Sequence, residues 1–193
     1  VTTPTTNAES HQHHNQVTPK ARTVPPKETA MKLIYTASQV REAEKPYIEA
    51  VDYDGYLMQR AADAVAAEAQ ELLHGTENAK ILLLIGPGNN GADTIYAGAR
   101  LSAKGHRVDA VIFDPSEKNL ELIAREGGEG TRVLDPEHTL EHLTGYDLTI
   151  DGILGTGSSG AVRGNAGEYL GVLRAAQLDG KLGAVLAVDT PSG

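Results

Sequence analysis

At 193 residues, 40% of them hydrophobic, the chain can bury one sizeable core, and one domain is the first expectation. Its 26 acidic and 17 basic side chains leave a formal net charge of −9, which argues against a broad nucleic-acid surface. There is no cysteine, so disulfides, thiolate metal sites and thiol nucleophiles are excluded, in keeping with a reducing, cytoplasmic setting.

Residues 1–30 are polar, lack the hydrophobic segment of a secretory signal and read as a disordered tail or extension ahead of a domain at 31–193. His11, His13 and His14 cluster there, and Met31-Lys32-Leu33 has the form of a natural start. A weak organellar targeting segment, with Lys20, Arg22 and Lys27 as its basic residues, is the other reading. No apolar run reaches the ~18 residues of a membrane span.

A first helix is predicted from a cap at Ser38 to about residue 50. A second follows Gly55, with Leu57, Met58, Ala61, Ala62, Val65, Ala66, Ala69 and Leu72 on one face. Its alanines suit close approach to a sheet, and Gly75 ends it. The continuous apolar run 80–85 is a strand of the kind buried on both faces of a parallel sheet. Then come a helix at 93–103 closed by Gly105, a strand at 108–113, and a helix at 117–124 ending in Gly127-Gly128. A short strand at 131–134, a short helix at 138–143 and a strand at 148–154 follow. The last elements are a glycine-rich loop at 155–167, a helix at 168–178 and a strand at 182–188. This alternation predicts right-handed crossovers and an α/β, Rossmann-like three-layer αβα sandwich with a mostly parallel sheet. No helix follows the last strand, so the sheet is expected to lack closing elements.

Three strand-to-loop junctions carry the chemistry. The first is Gly86-Pro87-Gly88-Asn89-Asn90-Gly91-Ala92-Asp93, between a strand and a helix as a phosphate-cradling loop requires. It is neither the dinucleotide fingerprint nor a P-loop. Gly86 and Gly88 permit close backbone approach. Asn89, Asn90 and Asp93 offer oxygens to ligand hydroxyls or a hard cation, or alternatively cap the helix. The second runs from Asp151, a charge inside an apolar strand that must be paired, protonated or coordinating, through Gly155, Thr156, Gly157, Ser158, Ser159, Gly160 and Ala161. Its backbone N–H groups suit a phosphate. Arg163 either adds a charged contact or is solvated. The third is Asp189-Thr190-Pro191-Ser192-Gly193. Parallel strands bring their carboxyl ends to one edge, so Asn90, Asp151 and Ser192 are expected to converge. No histidine partners the serines, which disfavours serine-hydrolase chemistry.

In order and spacing over residues 34–193, these loops resemble the NAD(P)H-hydrate epimerase, or YjeF N-terminal, domain family. Tyr35-Thr36-Ala37-Ser38-Gln39-Val40-Arg41 with Glu44, and Leu57-Met58-Gln59-Arg60-Ala61-Ala62, add to the resemblance. It implies repair of damaged nicotinamide cofactors by interconversion of the R and S forms of hydrated NADH and NADPH, with potassium bound. An ADP- or ATP-dependent dehydratase, fused or separate, would be the partner, and a homodimer the assembly. Carried over, Asn90, Asp151 and Ser192 are potassium ligands. Asn89, Asn90, Gly91, Ala92, Asp93, the loop from Gly155 to Ala161, and Asp189 contact the hydrated cofactor. Asp151 is the candidate for proton transfer as the C–OH bond breaks and re-forms, or as the ring opens and closes. The family usually has Gly-Gly-Asp-Gly where this chain has Gly91-Ala92-Asp93-Thr94, and glycine is common where Ala62 stands. Lys118 lies near a lysine of some members without aligning to it. Ala92 and Thr94 favour the alternative of a non-catalytic binding or scaffold module that kept the fold. A nucleotide-binding α/β domain of another class is the third reading.

Overall fold

A computed structural model describes residues 35–127, 130–157 and 162–192. Expectations for the amino-terminal tail and its histidines, for Gly128, and for Ser158, Ser159, Gly160, Ala161 and Gly193 lie outside the described residues. Helix α1 spans Ala37–Ile48 and starts two residues earlier than predicted. Thr36, not Ser38, is its cap, and Gln39 three residues on completes a capping box, each side chain answering the other's backbone N–H. Helix α2, Tyr56–Leu72, follows Gly55 in the left-handed region (φ 85°). Its alanine face, Ala62, Ala66 and Ala69, is buried as expected. The face packs chiefly on helix α3, Asn89–Ala103, rather than directly on the sheet.

Five strands make one parallel sheet: β1 Lys80–Ile85, β2 Arg107–Ile112, β3 Thr131–Val133, β4 Leu148–Gly152 and β5 Ala184–Ala187, in the order β3-β2-β1-β4-β5. Helices α4 Glu117–Glu126, α5 Pro136–Glu141 and α6 Gly164–Leu178 complete the alternation. Alternate residues of β1 serve two cores. Ile81, Leu83 and Ile85 pack with α2, α3 and α4, while Leu82 and Leu84 pack with Phe113, Tyr146 and the α6 residues Tyr169 and Leu173. The Rossmann-like three-layer sandwich is therefore present. The chain leaves β1 toward β2 and β3, then crosses back to place β4 on the other side. Such a switch point opens a crevice at the carboxyl ends of β1 and β4, where this fold class binds ligands.

One buried charge away from that crevice is structural. Asp109 in β2 is 1% exposed. It accepts from Arg132 Nε (2.8 Å) and Nη2 (3.0 Å) on the neighbouring strand, and from the Tyr146 hydroxyl (2.8 Å). Burial first, and the Asp109 hydrogen bond second, hold the Tyr146 phenol well above its ordinary value, so it remains a donor. Asp109→Ala strands that buried hydroxyl. It is expected to cost about 3 kcal/mol, read as a fall in the urea midpoint at unchanged slope.

Candidate functional site

The crevice is built around Gly86, where neighbouring backbone leaves no room for a side chain. Gly86 N–H donates to the Gly152 carbonyl (3.2 Å), and a Cβ on Gly86 would overlap the Ile153 carbonyl. Behind the loop, the buried Asn119 amide of α4 donates to the carbonyls of Gly86 (2.8 Å) and Gly88 (3.3 Å). At Gly88 itself a Cβ would meet nothing within 4 Å, so the expected close approach applies within the fold to Gly86 only.

Helix α3 begins at Asn89, four residues before the predicted start, with Gly88 as a cap that has no side-chain bond. Asn89 and Asn90 thus sit in the first turn. Asn90 is not a cap: its Nδ2 donates to the carbonyls of Leu154 and Val188, each at 2.8 Å. One amide group ties together the loops after β1, β4 and β5. Gly155 lies against it so closely that a Cβ there would meet Nδ2 at 2.6 Å.

Asp151, one residue from the end of β4 and 6% exposed, accepts three hydrogen bonds. Oδ1 accepts from Ile153 N–H (3.2 Å) and the Ser192 hydroxyl (2.7 Å), and Oδ2 accepts from Ser192 N–H (2.8 Å). The Ser192 oxygen in turn accepts from Leu154 N–H (2.9 Å). Asp189 sits in the left-handed region at φ 69°, a conformation Asp tolerates better than most residues. Its carboxylate accepts from Thr156 N–H (2.9 Å). That amide, expected to face a phosphate, is already occupied.

The loops open on a cleft of ≈ 860 Å³. Asn89, Asn90, Asp93, Gly155, Thr156, Gly157 and Asp189 line it together, facing a largely apolar wall from α1 and α2. Gly91 and Ala92 do not line it. Gly91 is jammed against the Gly86 carbonyl, and Ala92 is 1% exposed in the core. Thr94 is also buried; its hydroxyl donates to the Asn90 carbonyl (2.7 Å) and occupies the space a Cβ on Gly152 would need. Both departures from the family pattern therefore face the interior. Asp151 borders a second, smaller cavity under α6, on the other side of the sheet edge, and the Arg163 side chain is exposed.

Asp93 is the electrostatically unusual member. Its Oδ1 is buried and finds no hydrogen-bond partner among the described residues. Burial chiefly, then the Asp189 carboxylate and more weakly Glu44, raise its pKa to about 6, against a smaller opposing effect of Lys118.

A family profile described as YjeF-related protein N-terminus matches residues 55–193. The chain belongs to that family. Within it, the chain is 34% identical over 170 residues to the bifunctional NAD(P)H-hydrate repair enzyme Nnr of Corynebacterium glutamicum, covering 84% of this chain and 28% of that protein. It is 35% identical over 162 residues to the NAD(P)H-hydrate epimerase of Microbacterium testaceum, covering 82% and 60%. The chain thus spans about a third or less of the bifunctional relatives cited first and more of the single-function one. A crystal structure of a yeast protein, ynu0, shares the fold with a TM-score of 0.66 at 20% identity, covering 83% of this chain and 72% of that one.

Sequence reasoning passed over Asn119, which holds the YjeF-type glycine loop from behind. The available signal was its spacing: Asn119, Leu122 and Ile123 share the buried face of α4, so a polar residue there needed a partner. It also gave no cleft role to Arg41 and Glu44, which stand on the α1 wall.

Proposed function

We propose that this domain epimerises hydrated NADH and NADPH, interconverting their R and S forms so that a dehydratase, fused or separate, can restore all of the damaged cofactor. The observation that carries the reading is the single Asn90 amide bonded to the loops after both β4 and β5, beside an unpaired Asp93 oxygen at the mouth of the switch-point cleft. The names of the relatives support the substrate class. Ala92 and Thr94, which argued for a scaffold, face the core and leave the cleft wall unchanged.

The donor set around Asn90 fits a hard monovalent cation. Asn90 Oδ1, the Asp151 carboxylate and Ser192 Oγ are hard oxygen donors, while the Leu154 and Val188 carbonyls accept from the Asn90 amide and hold it in place. Asn90, Asp151 and Ser192 would hold potassium, which when bound supplies positive charge behind Asn90, beside the cleft. Asp151 acts here through Ser192 and the loop after β4, as a positioning residue. Asn89, Asn90, Gly155, Thr156, Gly157 and Asp189 orient the substrate, and the apolar wall excludes water. Asp93, whose raised pKa of about 6 keeps a fraction of the carboxyl protonated near neutral pH, gives its proton to the departing hydroxyl of the hydrated ring carbon. Water then adds to the other face and the proton it releases returns through solvent to the Asp93 carboxylate, so the reaction is redox-neutral and returns the enzyme unchanged.

The test supplies a mixture of hydrated NADH epimers with a dehydratase that consumes S alone. Complete repair is expected with the protein present and potassium added, and repair stalling at the S fraction would overturn the reading. Asp151→Asn is expected to keep the fold and slow repair; an unchanged rate in a folded variant would remove Asp151 from the site.

A further inference from the structure

Three potential metal ligands stand on one exposed helical face that the repair reading does not use. His138, Glu141 and His142 of α5 and its cap have ligand atoms within 4.8 Å of one another. The spacing i, i+3, i+4 puts all three on one side of a helix. The two imidazole rings lie 4.9 Å apart between centroids, edge to face at 79°.

The other side of α5 is anchored, which fixes this face in place. Asp135 caps the helix by accepting from Glu137 N–H (2.9 Å), and Pro136 presets its first turn. The buried Thr139 hydroxyl shares a 2.8 Å hydrogen bond with the Tyr169 hydroxyl of α6, and Leu140 and Leu143 pack into the core on that side. A ligand therefore meets a preformed helix, and no folding cost is charged against binding. Two imidazoles and a carboxylate suit zinc, nickel or copper, whereas magnesium and calcium select all-oxygen sets. The helix leads through a 3-10 turn at Leu143–Gly145 into the amino end of β4, the end of the strand away from the cleft.

We propose that His138, Glu141 and His142 form a surface site for a divalent transition ion of the zinc class, with the remaining coordination positions left to water. Binding would clamp the last turn of α5 and is independent of the cofactor-repair site.

The experiment uses the full chain with His11, His13 and His14 replaced by alanine throughout, so that tail imidazoles do not compete. Zinc titrated by calorimetry is expected to bind at one equivalent and to raise the melting temperature. His138→Ala and His142→Ala are each expected to weaken binding by more than the ~10–100-fold that losing an outer-sphere partner costs. With copper as the probe, electron paramagnetic resonance should show two coordinated nitrogens in the parent and one in each single variant. Absence of saturable zinc binding at micromolar metal, or unchanged binding in the double variant, would overturn the site. So would displacement of zinc by equimolar magnesium. Epimerisation is not the readout, so failure of the repair reading leaves this result standing.

Discussion

Asp93→Asn is expected to make the protein more stable at neutral pH while slowing the epimerisation proposed for it. The cause is one displaced pKa. In the unfolded chain Asp93 ionises near its ordinary value of 3.8; in the fold, burial and the Asp189 carboxylate hold it near about 6. As pH rises from 4 toward 6, the unfolded state releases a proton that the folded state keeps, so the wild type loses stability across that window and does not recover it above. The full shift corresponds to an upper bound of ~3 kcal/mol, and because Asp93 is only partly buried, ~1–2 kcal/mol is the realistic penalty at pH 7. Asparagine does not ionise, so the variant should gain that amount at pH 7, a few degrees in melting temperature for a chain of this size, and nothing at pH 4. Parallel melting curves at the two pH values read it directly. An equal effect at both would mean that packing, not charge, is responsible.

The same substitution separates stability from function. If Asp93 moves the proton, asparagine should slow epimerisation by ~100-fold or more, the usual worth of a positioned acid–base group. Wild-type kcat/KM should also fall as pH rises through about 6, where the proton-donating form disappears. A stabilised variant of unchanged rate would remove Asp93 from the mechanism and leave it as an electrostatic liability of the cleft wall. If the rate falls as expected, the carboxyl of Asp93 trades stability for activity.

Sequence patterns revealed the sheet and its loops because buried parallel strands are apolar runs and crossover helices are periodic. The run from Ile81 to Ile85 and the alanine face of α2 are legible in this way. What periodicity does not carry is direction at an element's end. Residues 89–92 read as loop because they are polar or small. The helix begins there because Asn90 is held by Leu154 and Val188, partners 64 and 98 residues away in the chain. Buried charge is likewise ambiguous until partners are seen. Asp109 and Asp151 are both carboxylates in apolar strands. Asp109 sits mid-strand opposite Leu82 and is answered by arginine, whereas Asp151 sits one residue from the carboxyl end and is answered by the Ser192 loop. The suspicion that fell on Ala92 and Thr94 arose from their place in a ligand-type motif. A helix turns 100° per residue, so Ala92 and Thr94, on either side of cleft-facing Asp93, point into the core.

Gly86 and Gly88 stand two residues apart in the same loop, yet alanine should be ruinous at one and harmless to the fold at the other. At Gly86 the new Cβ would overlap the backbone of Ile153, which is held in turn by the Asp151 hydrogen bond to its N–H. Backbone cannot swing aside as a side chain can, so the loop must leave Gly152 and lose the Asn119 bonds that cradle it. Gly86→Ala is expected to cost ~3 kcal/mol or more, at the upper end of overpacking, and to abolish epimerisation in whatever fraction still folds. Gly88 has a negative φ of −90° and open space around it, so Gly88→Ala should cost no more than the ~1 kcal/mol of placing alanine at the α3 cap. Its activity then becomes a measurement of ligand approach alone. A stable Gly88→Ala protein with a raised KM would place substrate against that carbon, and one with wild-type KM would place it further along α3, toward Asn89 and Asp93. Equal destabilisation by both substitutions would mean that the loop's glycines serve flexibility rather than clearance, contrary to the packing seen at Gly86.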